Sequence, residues 1–228
     1  MITILAHRAN LNGPHQASEN SPAACARALA EGFGLEIDLR RNANGEFYIS
    51  HDPAPGSPEN RLEVYTKLFQ QHPNAELAIN VKELGYEAEL VDLMNSGRLG
   101  RRSFYFDFEL LEPKTPGAAQ RKIKALPRSK EVRVAARLSD RNEPLSQCLA
   151  IPAEIVWGDE FDSLWLTEKE VRAVQQSGRS LYMISPEIHG FDLETTKQRW
   201  NDFKNWGMAG LCTDYPIAAQ KFFRNIER

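Results

Sequence analysis

Short runs rich in β-branched and aliphatic residues alternate with helix-patterned segments along this chain, and that alternation restricts the fold more than any other feature. Strand-like runs lie near 2–6, 34–40, 77–82, 103–107, 131–137, 154–158, 180–184 and 209–213. Helical patterns fall at 21–31, 61–71, 86–96, 117–125, 142–150, 167–177, 192–206 and 216–226. Such repetition builds a parallel sheet, because each helix carries the chain back to begin the next strand in the same direction. Eight units in 228 residues close into an α/β barrel, a single domain over 1–228. An open doubly wound sheet is the competing arrangement, but no glycine-rich phosphate loop follows the first strand. Local signals agree with the element pattern. Ser21-Pro22 starts a helix, Thr167-Glu168-Lys169-Glu170 has the form of a capping box, and Gly178 stops the helix that follows. Gly45 marks a hairpin that returns Phe47-Tyr48-Ile49 as an extra strand, and Pro53 to Pro58 reads as a loop.

In Leu35-Glu36-Ile37-Asp38-Leu39-Arg40, aliphatic and charged residues alternate. A strand turns successive side chains to opposite faces, so the aliphatic set faces the helices while Glu36, Asp38 and Arg40 face the barrel interior. Paired buried carboxylates are costly unless compensated. Two kinds of partner would serve: basic residues such as Arg40 or Lys82, or a hard cation bound through oxygen. The same alternation in Leu77-Ala78-Ile79-Asn80-Val81-Lys82 sends Asn80 and Lys82 inward, the lysine as an ion-pair partner or an anion binder. His7-Arg8 ends the first strand, where barrel strands open onto their active sites, and Ser50-His51-Asp52 follows the extra strand. Two imidazoles, a cation and basic residues are what displacement at phosphorus requires: a base, an acid, and positive charge for the oxyanion.

The ordered set His7-Arg8, Ser18-Glu19-Asn20-Ser21-Pro22, Glu36-x-Asp38, His51-Asp52 and Lys82, closed by Thr213-Asp214-Tyr215-Pro216, resembles the glycerophosphodiester phosphodiesterase family. The resemblance spans the chain and implies a TIM (β/α)8 barrel that hydrolyses a small-molecule or lipid-derived phosphodiester. By position it implies His7 and His51 as the acid/base pair, and Arg8 and Lys82 as phosphate holders. Glu36, Asp38 and Asn80 would be ligands to Mg²⁺ or Ca²⁺, with Glu19 orienting His7 or Arg8 or adding a ligand. In the reaction implied, a neighbouring substrate hydroxyl attacks phosphorus and a cyclic phosphate forms that water then opens. Some relatives of the family stop at the cyclic product. Two departures stand out: the family carries glutamate where this chain has Asn80, and it inserts a capping subdomain after its His-Asp motif. Glu187, in Ser185-Pro186-Glu187, is the candidate to replace the missing carboxylate. Arg137 either reaches a phosphate or plugs the barrel with an ion pair, and the residues from Trp157 to Phe161 either wall a pocket or pack a loop.

Composition narrows the partners. A formal charge of −3 provides no general basic field, which disfavours nucleic acid. No apolar run approaches the roughly 20 residues that span a bilayer, and the apolar start meets His7 too early for a secretion signal. Cys25, Cys148 and Cys212 are odd in number and widely spaced, as expected of reduced core thiols in the cytoplasm. A homo-oligomer is compatible with all of this.

Overall fold

The computed structural model describes residues 2–54 and 57–225, so part of the Pro53–Pro58 loop and the last residue of the expected 216–226 helix lie outside it. Eight parallel strands form the barrel: β1 (Thr3–Ala6), β2 (Gly34–Arg41), β4 (Leu77–Val81), β5 (Phe104–Phe106), β6 (Arg133–Ser139), β7 (Ile155–Asp159), β8 (Ser180–Ile184) and β9 (Gly210–Thr213). Strand β3 (Phe47–Ile49) runs antiparallel on β2. The order is β1-β9-β8-β7-β6-β5-β4-β2, and Leu5 beside Gly34 and Ala6 beside Leu35 join β1 to β2 and close the ring. All eight expected strands are present, with β6 displaced by two residues because Ser129–Glu131 forms a single 3-10 turn.

The helices are α1 (Pro22–Ala30), α2 (Leu62–Gln71), α3 (Glu87–Asn95), α4 (Phe108–Leu111), α5 (Ala118–Ala125), α6 (Leu145–Ala150), α7 (Glu168–Gln176), α8 (Leu193–Trp206) and α9 (Pro216–Asn225). Ser21 caps α1 by accepting the Ala24 N–H, and Thr167 with Glu170 forms the capping box of α7. The outward strand residues Leu35, Ile37 and Leu39 pack in one core with Ala24, Cys25 and Ala28 of α1. Among the described residues no helix is long and apolar enough to cross a membrane. All three cysteines are free and buried.

Inside the ring, Leu5, Ala78, Phe104, Phe106, Trp157 and Tyr182 belong to a second, apolar core. Large residues on some strands require small ones opposite. A Cβ on Gly210 would stand 2.1 Å from Cδ1 of Tyr182, far inside contact distance. Gly210→Ala is therefore expected to cost roughly 1–3 kcal/mol through displacement of that ring. The check is thermal unfolding, and an unchanged midpoint would mean that the ring moves aside freely. This apolar plug ends below the C-terminal ends of the strands, where the inward residues become polar.

Candidate active site

Beyond β1 the backbone turns sharply: Arg8 (φ 47°) and Ala9 (φ 63°) both take left-handed conformations that cost L-residues of order 1–3 kcal/mol each. The turn aims the Arg8 N–H at Glu36 Oε2, 3.1 Å away, and leaves the His7 ring at the mouth. His7 Nδ1 lies 2.8 Å from Asp214 Oδ1, which also accepts from Asn10 Nδ2 at 2.8 Å. An ionised carboxylate can only accept, so the ring proton sits on Nδ1 and Nε2 is the free nitrogen, 4.0 Å from Glu36 Oε2. Burial acts to lower the His7 pKa, but the Asp214 hydrogen bond and the charges of Glu36 and Asp214 outweigh it and the net direction is upward.

Glu36 and Asp38 are both buried in the interior, as the alternation of β2 requires. Asp38 is heavily compensated: Lys82 Nζ lies 2.8 Å from Oδ1, Asn20 Nδ2 donates to Oδ2 at 2.7 Å, and Arg8 Nε stands 3.5 Å away. Burial would raise its pKa, but Lys82 reverses that and holds it below the ordinary carboxylate value. Glu36 goes the other way, pushed up by burial and by the neighbouring Asp38 charge. Asn80 pairs with Asp38 in the sheet register and is only 8% exposed, yet its Oδ1 has no hydrogen-bond partner among the described residues. A buried, orphaned amide oxygen beside two carboxylates is the donor chemistry of a hard-cation site. Among the described residues, however, no three His, Cys, Asp or Glu side chains are grouped to hold a metal, so such a site depends on the neutral amide.

Glu19 bridges Arg8 NH1 (3.1 Å) and Asn10 Nδ2 (3.2 Å), which makes it an orienter of the guanidinium. Arg40 does not compensate Glu36 and Asp38. It lies at the end of β2, where it bonds Glu83 and donates to the His51 carbonyl at 2.6 and 3.0 Å. His51 follows β3, where the Ser50 N–H donates to the Asp38 carbonyl, and a cavity of about 570 Å³ is lined by His51 together with Arg8 and Glu19. Its side chain is 44% exposed, and among the described residues its ring is held by Asp52, itself exposed, at 2.9 Å. Glu187 is not free to replace a ligand: it accepts from Ser185, from Thr213 and from the Asp214 N–H, and so anchors the turn that carries Asp214. Among the described residues between His51 and Leu77 lie α2 and short connections.

The opposite half of the mouth holds residues that the sequence left open or overlooked. Arg137 is 1% exposed and paired with Asp107, Glu143 and Asp159, a plug rather than a phosphate ligand. Asp159 also accepts from His189 Nε2 at 2.5 Å. The partners Asn10, Asn20 and Asp214 were not assigned roles from sequence, although Asn20 and Asp214 stand in the quoted motifs. Alternation places Asp159 inward on β7, the one local signal that could have nominated it.

Fold and site together define a closed parallel barrel whose polar groups cluster at the strand C-termini, where barrel enzymes carry their chemistry. No family model matches the chain, and no curated protein does. Solved structures do match. A Galdieria sulphuraria protein provisionally described as a glycerophosphodiester phosphodiesterase superposes with TM-score 0.74 at 19% identity, covering 99% of this chain and 98% of its own. Glycerophosphodiester phosphodiesterases from Parabacteroides distasonis (TM-score 0.67, 15% identity, 100% and 98% covered) and Thermotoga maritima (0.65, 12%, 97% and 98%) match similarly. At these identities the likeness establishes the barrel fold.

Proposed function

We propose that the chain is a phosphodiesterase acting on glycerophosphodiesters or related lipid-derived diesters. The observation that carries this reading is the His7–Asp214 pair, whose Nε2 lies 4.0 Å from Glu36 at a mouth where Arg8 and Lys82 gather about Asp38. In the proposed reaction a substrate hydroxyl next to the ester attacks phosphorus and loses its proton to Nε2 of His7, while Asp214 stabilises the resulting imidazolium. Arg8 and Lys82 meet the charge on the phosphoryl oxygens. A second imidazole, for which the sequence nominates His51, protonates the departing alcohol, and water then opens the cyclic phosphate by the reverse proton transfers. The connection from His51 to β4, residues 52–76, is too short for a capping subdomain, which supports an open mouth and bulky leaving alcohols. The buried free thiols favour a reducing, cytoplasmic setting.

Glu36, Asp38 and Asn80 are the proposed holders of Mg²⁺ or Ca²⁺, supported by the orphaned Asn80 oxygen. Such an ion supplies positive charge to the phosphoryl oxygens when bound. Turnover is expected to vanish in excess chelator and to return with either ion, and full activity in chelator would exclude the requirement. Because affinity for such ions rises with the number of anionic ligands, Asn80→Glu should tighten binding on the order of tenfold in calorimetry. Unchanged affinity in a folded Asn80→Glu protein would mean that residue 80 does not touch the ion.

A further inference from the structure

A buried carboxyl group with no cation against it is more stable carrying its proton than ionised, because burial removes the water that would solvate the charge. Several buried acids of this chain lie against cations: Asp38 has Lys82, Glu160 has Arg199, and Glu76 has Arg102 and Arg133. Glu109, in the first turn of α4 and 3% exposed, makes no ion pair among the described residues. The Arg137 guanidinium is taken by Asp107, Glu143 and Asp159, and what Arg137 offers Glu109 is its backbone N–H, 3.3 Å from Oε1. Oε1 also accepts from Gln120 Nε2 at 2.8 Å, and that amide nitrogen reaches the Ala135 carbonyl at 3.1 Å. One carboxyl oxygen thus joins α4 to α5 and β6.

The other oxygen, Oε2, is buried without a donor among the described residues, and so is Oε1 of the fully buried Gln120. An ionised carboxylate and an amide oxygen can only accept, so neither can satisfy the other. A proton on Oε2 changes this. It makes that oxygen a donor, and the carboxamide already bonded to the same carboxyl carries the acceptor that lacks one.

We propose that Glu109 holds a proton in the folded protein and that this proton latches α4 onto α5 and β6, the latch opening as the medium turns alkaline. The latch stands apart from the phosphodiesterase reading. The surrounding groups supply no counter-charge at bonding distance: Glu143 adds a negative charge, Asp107 is bonded to Arg137, and burial pushes the Cys148 thiol of α6 up to about 12. Burial is also the largest influence on Glu109. It outweighs the backbone N–H donors and the Arg137 charge, and the carboxyl is pushed up to about 7. The folded value lies above the unfolded one, so the stability this group contributes is fully present below the ordinary carboxyl range and is lost as pH rises through about 7. Because α4 starts at Asp107, which bonds Arg137, opening the latch loosens the mouth segment that follows β5.

Glu109→Gln tests this, since its carboxamide presents an N–H where the proposal puts the acid proton and cannot ionise. In urea unfolding, the unfolding constant of the parent relative to the variant should rise about 10²-fold from acid to alkaline pH, leaving the variant the more stable protein above about pH 7. Glu36, also raised to about 7, is common to both proteins and cancels in the ratio. Amide hydrogen exchange of α4 should be faster in the parent than in the variant above that pH and equal below it. Carbon-13 NMR of the parent alone gives a reading that does not depend on the variant folding: the Glu109 carboxyl carbon should titrate with a midpoint near 7. A ratio independent of pH, equal α4 exchange in both proteins at alkaline pH, or a Glu109 midpoint in the ordinary carboxyl range would overturn the proposal.

Discussion

His7→Ala is expected to lower turnover of a phosphodiester by about 10²- to 10⁴-fold while the protein stays folded, because it removes the imidazole that faces the Glu36 carboxylate. The fold should tolerate the change. His7 is partly exposed, and Asp214 keeps its bonds to Asn10 and Glu187 without it. A companion variant separates orientation from presence. In Asp214→Asn the side-chain amide can donate to Nδ1, which forces the ring proton onto Nε2 and removes the free acceptor. Turnover should then fall by roughly 10²-fold or more with KM little changed. If Asp214→Asn retains activity within a few-fold, the carboxylate does not set the tautomer.

The largest effect on stability is expected at Arg137. Removing one partner from a buried ionic network leaves uncompensated charge and costs roughly 3–5 kcal/mol, a large share of the 5–15 kcal/mol that typically holds a domain folded. Arg137→Met leaves Asp107, Glu143 and Asp159 facing one another with no guanidinium between them. Burial already raises the Asp107 pKa even with Arg137 present, and the variant loses the largest opposing influence. A carboxylate whose folded pKa lies above its unfolded value contributes stability at low pH and loses it as pH rises through the folded value. The deficit of the variant relative to the parent chain should therefore shrink in acid and widen toward neutrality. Urea unfolding of both proteins across that range is the check, and a deficit independent of pH would mean that the carboxylates find other partners.

What could be read from sequence follows from the range over which each signal acts. Period-two alternation is local, so 35–40 and 77–82 disclosed the inward Glu36, Asp38, Asn80 and Lys82. Helix α4 escaped because four residues cannot display a 3.6-residue period, and it starts from Asp107 in a left-handed conformation. The His7–Asp214 bond joins residues 207 apart, and no local pattern reports such a pair. Likewise Arg137 and His189 meet Asp159 only after the barrel has closed. A motif names residues without their environment. His51 stands where the family order puts it, yet its ring faces solvent, while Glu187 looks like a spare strand-end carboxylate until Ser185 and Thr213 are seen to occupy it.

In the proposed function the His7–Asp214 pair and the cations around Asp38 cleave a phosphodiester. Phosphorus NMR of glycerophosphodiesters, lysophospholipids and phosphoinositols incubated with the protein and Mg²⁺ or Ca²⁺ tests it most directly. The expected result is loss of a diester resonance with growth of a monoester or cyclic phosphate signal, absent with His7→Ala. Unchanged diester resonances across the whole panel with the folded parent protein would contradict it.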